Sequence, residues 1–432
     1  MHQEGCVMLG QFFRSVGFWT LDWLKGSPVR KRYNYLHNLA KNGQMNDGAL
    51  TEILTHAKQT VPFYRDIPEI DINAFPVVCK EDYKKAFAQF RSSAYLDDRT
   101  LRKVFTSGST GTPFMAYQDK EKLYWHRAGL ISINDGIGWK LGARFMFMRV
   151  WGSGHDEGRL SQMMSNVVPV DVMDFDDAKK EAIRQRLLAD KQLVYILGYA
   201  TALESLSEYL IRCGEEPEKL GLKMVIADSE NLSEDAKQTI EKAFGCPVLN
   251  RYGNNENGII GLAEGGRSYF SINYPEYYVE VLNIDDDNPA PVGSVGRIVI
   301  TDLYNKAFPF IRYDTGDLGF AQKLSGRQCI ELKELTGRVS AALRDTNGNL
   351  LSETAAVAFL KLFLGIGRFQ VAQTGEKTYE LRIEQCSEEQ DSRLIEKAKT
   401  VFGQDAEVQV CHVEKIPQGK NGKYKVTSYE VS

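Results

Sequence analysis

Three short apolar runs, residues 194–197, 224–227 and 248–250, stand in the middle of the chain with helical stretches at 201–212 and 233–244 between them. Strands that alternate with helices imply right-handed crossovers and a mostly parallel sheet covered by helices on both faces. Residues 144–150, apolar with Phe145, Phe147 and the β-branched Val150, read as a further buried strand. Ser233, followed by Asp235 and a helical pattern, is an N-cap. In sheets of this kind ligands collect at the carboxyl ends of the strands. The segment directly after residues 248–250, Arg251-Tyr-Gly-Asn-Asn-Glu256, therefore draws the first functional question.

A chain of 432 residues exceeds the size at which one core stops growing, about 250–300, so at least two domains are expected. With 43% hydrophobic and 25% charged residues it has an ordinary globular composition. A formal net charge of −4 argues against a general nucleic-acid binder, which carries a basic excess. The seven cysteines include no Cys-x-x-Cys pair, which fits neither a zinc site nor a disulfide framework and suits a reducing compartment. Near the start, residues 7–24 are rich in Phe, Trp and Leu, but Arg14 and Asp22 interrupt them. They lack a signal-peptide layout and are too charged to span a bilayer, so an amphipathic segment resting on the body of the protein, with weak contact to a membrane surface as the alternative, and a cytoplasmic location, are expected.

Residues 106–114 read Thr-Ser-Gly-Ser-Thr-Gly-Thr-Pro-Phe, five small hydroxyl residues and two glycines in nine positions. Glycine lets backbone approach a ligand closely, and hydroxyls beside exposed N–H groups suit a polyanion. A surface linker can have the same composition. Gly111 is followed by Thr112 and Pro113, so this is not a Walker loop, which needs Gly-Lys and then Ser or Thr. Residues 101–105 read as a strand and 119–133 as a helix, which gives the strand–loop–helix setting for phosphate binding. Gly136, Gly138 and Gly142 look like a dinucleotide fingerprint, but their spacing is wrong and no acidic residue follows at the required distance.

The loop resembles the phosphate-binding loop of the adenylate-forming enzymes, the superfamily of acyl- and aryl-CoA synthetases, luciferases and peptide-synthetase adenylation domains. The family's other motifs follow in order. Tyr252-Gly-Asn-Asn-Glu256 is similar to Tyr-Gly-x-Thr-Glu, with Asn255 where threonine is usual; Phe310-Ile-Arg-Tyr-Asp-Thr-Gly-Asp317 is similar to the expanded Arg-Tyr-x-Thr-Gly-Asp of the phenylacetate–CoA ligase branch. Asp314-Thr-Gly316 also looks like an aspartic-protease signature, but no second copy completes a dyad. Glu334-Leu-Thr-Gly-Arg338 resembles the Gly-Arg that opens the hinge between domains, with Ser340 where the pivot Asp or Lys is usual. Lys415-Ile-Pro-Gln-Gly-Lys420-Asn-Gly-Lys423-Tyr-Lys425 resembles the final Pro-x-x-x-x-Gly-Lys motif.

The resemblance implies an α/β fold: a large N-terminal adenylate-forming domain, 1–337, with mostly parallel sheets and a β-rich subdomain, and a small mobile α+β lid, 338–432. It implies that Thr106, Ser107, Gly108, Ser109, Thr110 and Gly111 hold the ATP phosphates, with Gly253 and Asn255 at the nucleotide. Tyr252 would stack on adenine and Asp317 would accept both ribose hydroxyls, while Arg338 would reach ribose or phosphate. Glu256 would hold Mg²⁺, a hard cation that wants carboxylate oxygen. Lys423 would stabilise charge during adenylation, with Lys420 as the competing candidate. His155, in the loop 151–158, would border the acyl pocket. The implied partners are a small carboxylate and an acyl acceptor; a homodimer is left open. The acceptor is coenzyme A in the phenylacetate–CoA ligase branch, whereas capsular-polysaccharide relatives point to transfer onto a sugar or its amine. An amide ligase and a nucleotide-binding module without ligase activity are the alternatives, the second favoured by Asn255 and Ser340.

Overall fold

A computed structural model describes the chain apart from residues 1, 106–113, 152–165, 231, 264–268, 339–342, 350, 352–355, 358, 361–362, 364–367, 385–386, 417–425 and 432, and apart from the side chains of 2–8, 334 and 336–338. It divides into two compact units: 1–315 with 320–334, and 316–319 with 335–432.

Five parallel strands form the heart of the first unit, in the order Val167–Asp171, Arg144–Arg149, Leu193–Tyr199, Met224–Asp228, Val248–Asn254. The first six residues of Leu193–Tyr199 are all buried, because helices cover both faces of a parallel sheet. On one face Ile196, Val225 and Val248 pack with Leu203 and Leu206 of the helix Ala200–Arg212 and Ile240 of the helix Glu234–Phe244. On the other, Val194, Leu197, Ile226 and Leu249 pack with Trp139. Ser233 caps the second helix, accepting from the Ala236 N–H at 3.2 Å.

The sheet does not stop there. Gly258–Ala263 turns back antiparallel to Val248–Asn254, and Phe270–Ile272, Gln328–Arg338, Tyr313–Ser325, Val295–Asp302 and Tyr277–Leu282 continue it, with Val78–Cys79 beside Tyr313–Ser325, to twelve strands. The β-rich portion expected as a subdomain is thus the far edge of one sheet. An aromatic core lies under this edge. The Tyr83 ring sits 4.3 Å from Phe90, 5.2 Å from Phe310, 5.7 Å from Tyr313 and 5.8 Å from Phe114.

One expected setting is corrected. Arg102–Phe105 does not run through the loop into a helix; it pairs antiparallel with Met115–Gln118, Arg102 opposite Gln118 and Phe105 opposite Met115. The loop 106–113, itself outside the described residues, joins the two strands of a hairpin. The helix Lys120–Gly136 begins only after the second strand, capped by Asp119, so its N-terminus is not the end that follows the loop.

In the second unit a four-stranded sheet runs Glu407–His412, Thr378–Ile383, Phe369–Gln373, Thr427–Tyr429. Thr378–Ile383 and Glu407–His412 are parallel and connected by the helix Asp391–Phe402, whose Leu394, Ala398 and Phe402 are buried. Phe402 stacks on Tyr379 at 4.3 Å. No helix among the described residues is long and apolar enough to cross a membrane.

Candidate active site

Glu256 stands in the turn between Val248–Asn254 and Gly258–Ala263, at the carboxyl edge of the parallel strands. The turn is tight because the register slips between Tyr252 and Gly253. A Cβ on Gly253 would lie 2.5 Å from the Gly258 carbonyl oxygen, so only glycine lets the two strands close there. Tyr252 is buried, its ring edge-on to Phe270 at 6.4 Å.

Two hydrogen bonds bind this turn to the hairpin. Asn255 donates from Nδ2 to the Phe105 carbonyl at 3.2 Å, on the strand leading into the loop 106–113. The buried Gln118, on the returning strand, donates from Nε2 to the Glu256 carbonyl at 3.0 Å. Asparagine at the threonine position thus makes a contact of its own. The Glu256 carboxylate, 6% exposed, accepts from the Tyr313 hydroxyl at 2.9 Å. Two sequence motifs and the strands that flank residues 106–113 thus meet within one hydrogen-bonded cluster of the first unit.

Tyr313 is held in place by its neighbour. Arg312 adopts φ 45°, a left-handed conformation that costs a non-glycine residue on the order of 1 kcal/mol. Its buried guanidinium makes a two-pronged pair with Glu280, 3.0 and 3.2 Å, and donates to the Phe75 carbonyl at 3.0 Å. Burial raises the Glu280 carboxyl above its ordinary value while Arg312 pulls it back. Asp317 lies half-buried four residues beyond Tyr313 on the same strand, within the stretch that groups with the second unit; Gly316 between them has φ 76° and breaks the strand's alternation.

The chain resembles known proteins over most of its length. Residues 343–430 match the family model of the CapK C-terminal domain. A phenylacetate-coenzyme A ligase of Thermus thermophilus is 24% identical over 367 residues, covering 79% of this chain and 80% of its own. Protein CapK of Staphylococcus aureus is 24% identical over 243 residues, 52% of this chain and 50% of its own. Among solved structures, a 2-hydroxyisobutyryl-CoA ligase in the postadenylation state with 2-HIB-AMP superposes with a TM-score of 0.67 at 19% identity, covering 88% of this chain and 87% of its own. ATP-bound MatB from Rhodopseudomonas palustris gives 0.56 at 16% identity over 74% and 65%. In sequence the chain is similar to phenylacetate-coenzyme A ligases, and in fold to CoA ligases solved with an acyl-adenylate or ATP.

Several residues expected at the site of such a relative lie outside the described residues: Thr106, Ser107, Gly108, Ser109, Thr110, Gly111, His155, Ser340, Lys420, Lys423 and the Arg338 side chain. Among the described residues no group of three His, Cys, Asp or Glu could hold a metal ion. The single carboxylate of Glu256 suits an ion whose remaining ligands are water and substrate phosphates.

The structure adds residues that the motifs did not mark. At the carboxyl end of the neighbouring strand Met224–Asp228, Asp228 makes a two-pronged pair with Arg251, 3.1 and 2.8 Å. Ser229 follows with φ 66°, and Glu230 accepts from the Thr201 N–H and hydroxyl at 2.9 and 2.8 Å while its Oε1 is buried with no partner among the described residues. The strand-end rule that led to Arg251–Glu256 applies to this edge equally.

Beneath the turn lies a second polar cluster. Asn257 is fully buried, and its Nδ2 and Oδ1 both lack a partner among the described residues. Its carbonyl accepts from the Tyr277 hydroxyl at 2.6 Å, and the wholly buried Lys122 pairs with Asp302 at 2.6 Å. Burial, with the cations of Lys122 and Arg102 adding to it, holds the His126 imidazole down to about 4, so it is neutral at pH 7. Burial pushes the Glu276 carboxyl up to about 7 against the opposing pull of Lys122. No linear motif joins residues 122, 257, 276 and 302; only the packing of helix Lys120–Gly136 against the sheet does.

Proposed function

We propose that the chain is an ATP-dependent, AMP-forming carboxylate ligase. The observation that carries the reading is the cluster in which Asn255, Gln118 and Tyr313 tie the hairpin, the Tyr-Gly-x-x-Glu turn and the Arg-Tyr-x-Thr-Gly-Asp strand around Glu256. In the first step a carboxylate oxygen attacks the α-phosphorus of ATP, the bond to the β-phosphate breaks, and pyrophosphate leaves an acyl-adenylate. Glu256 would hold the Mg²⁺, which neutralises charge on the phosphates. Tyr252 and Gly253 would border adenine, Asp317 would accept the ribose hydroxyls, and Thr106 to Gly111 would receive the phosphates with Arg338 alongside. Lys423 would stabilise charge building between carboxylate and α-phosphate.

In the second step a thiol or amine attacks the acyl carbon, AMP leaves with the electron pair, and the acceptor's proton passes to solvent. Coenzyme A is the acceptor favoured by the phenylacetate-coenzyme A ligase relatives. The match of 343–430 to the CapK domain supports a role in cell-surface polysaccharide synthesis, with a sugar amine as the other acceptor. Pyrophosphate release with Mg·ATP across a panel of carboxylic acids, comparing wild type with Lys423→Ala and Lys420→Ala, tests this. Acid-dependent release abolished in Lys423→Ala and retained in Lys420→Ala is expected. Tight nucleotide binding with no release for any acid favours the non-catalytic module.

A further inference from the structure

We propose that the solvent-facing side of the helix His2–Leu24 docks the protein on an anionic lipid surface. The helix is amphipathic in the reverse of the usual sense. Leu9, Phe12, Phe13, Val16, Trp23 and Leu24 are 44–69% exposed. At 3.6 residues per turn these six fall within a stripe about 120° wide. The side that meets the body is the more polar one. Asp22 is buried and accepts from the Val29 and Arg30 N–H groups, both at 2.9 Å. A Cβ on Gly142 would lie 2.9 Å from the Gln11 carbonyl and 3.0 Å from the Arg14 Cβ, so the helix is seated closely by that side. Phe18 and Trp19 pack inward with Tyr33.

An exposed apolar stripe of this size marks a contact surface, and the charges around it select the occupant. Between Asp22 and Asp47 the sequence holds five cations, Lys25, Arg30, Lys31, Arg32 and Lys41, and no acidic residue, although the whole chain carries −4. Arg32 is paired with Glu121, and Arg30 lies over the Trp19 ring at 3.9 Å. Lys25, directly after Leu24 in sequence, and Lys31, next to Arg30, are exposed. An anionic bilayer meets both features: the apolar stripe enters the headgroup boundary, and nearby lysines and arginines are drawn to its negative surface potential.

Co-sedimentation of the full chain with vesicles tests this, using phosphatidylcholine alone and phosphatidylcholine with phosphatidylglycerol, at low and high salt. Wild type is expected to bind the anionic vesicles, at least tenfold more weakly in high salt and on neutral vesicles. The triple variant Phe12→Ser, Phe13→Ser, Trp23→Ser and the double variant Lys25→Glu, Lys31→Glu should each lose at least tenfold. All these side chains are exposed, and unchanged circular dichroism and melting temperature confirm intact folding of each variant. Absence of binding to anionic vesicles, binding that neither variant weakens, or a concentration-dependent dimer abolished by the triple variant overturns the proposal.

Discussion

The hydrogen bond from Tyr313 to Glu256 is the shortest path by which one motif acts on another. Replacing Tyr313 by Phe keeps the ring in the aromatic core and removes only that donor. On the proposed reading kcat/KM for pyrophosphate release falls about tenfold, the worth of ~1.4 kcal/mol for one hydrogen bond to a charged group, and an unchanged rate would show that Glu256 needs no such orientation. Glu276 offers a pH-dependent test. Its carboxyl is raised from an ordinary 4.5 to about 7, so the folded state favours the protonated form. That stability is fully present below pH 4.5 and is lost as pH rises through 7. Glu276→Gln removes the titration. Relative to it, wild type should lose stability between pH 4.5 and 8, on the order of 3 kcal/mol in all at about 1.4 kcal/mol per unit; parallel curves from denaturant unfolding would refute this. Glu256 was legible because its neighbours in sequence mark it. Glu276, Lys122 and Asn257 were not, because their meaning lies in burial against partners as much as 180 positions away, as Lys122 and Asp302 are.

At the scale of the element, helix Lys120–Gly136 was readable as a helical stretch over 119–133, and the structure shows what starts it: Asp119 accepts from the Lys122 N–H at 2.9 Å and also from the Lys306 and Ala307 N–H groups, 2.9 and 3.1 Å. The strand Met115–Gln118 before it was not, since four residues with no clear alternation carry no period, and only pairing with Arg102–Phe105 defines them. Gly129, inside the helix, gives a test with an unusual sign. Gly→Ala within a helix ordinarily gains up to about 1 kcal/mol. Here the added Cβ would lie 1.6 Å from Glu276 Oε2. Gly129→Ala should therefore destabilise the fold by about 1–3 kcal/mol of overpacking, read as a lower melting temperature. A stabilised variant would mean that the carboxylate moves aside freely.

Across the whole molecule, alternation of strands and helices told of the parallel sheet and of the edge where the site lies. It could not tell that the β-rich portion extends the same sheet, because which strand edges pair is decided by tertiary packing, as where Phe270–Ile272 lies between Gly258–Ala263 and Gln328–Arg338. If that edge binds nucleotide, Mg·ATP at a hundred times its Kd stabilises the fold by about 2.7 kcal/mol. Thermal-shift measurements should show a rise of a few degrees that Glu256→Gln diminishes and Lys423→Ala retains, since the lysine is assigned to chemistry. Equal shifts in all three proteins would remove Glu256 from the nucleotide site.

The two cross-links at Phe105 and Gln118 also bear on protein engineering. Each stem of the hairpin is fastened to the Glu256 turn on its own side, one through a carbonyl and the other through a side-chain amide. We expect the segment between the stems to be exchangeable, since neither anchor lies within it. Loops from related enzymes can be grafted between Phe105 and Phe114 while the anchor points of the acceptor scaffold stay as they are, so differences among the chimaeras report on the loop itself.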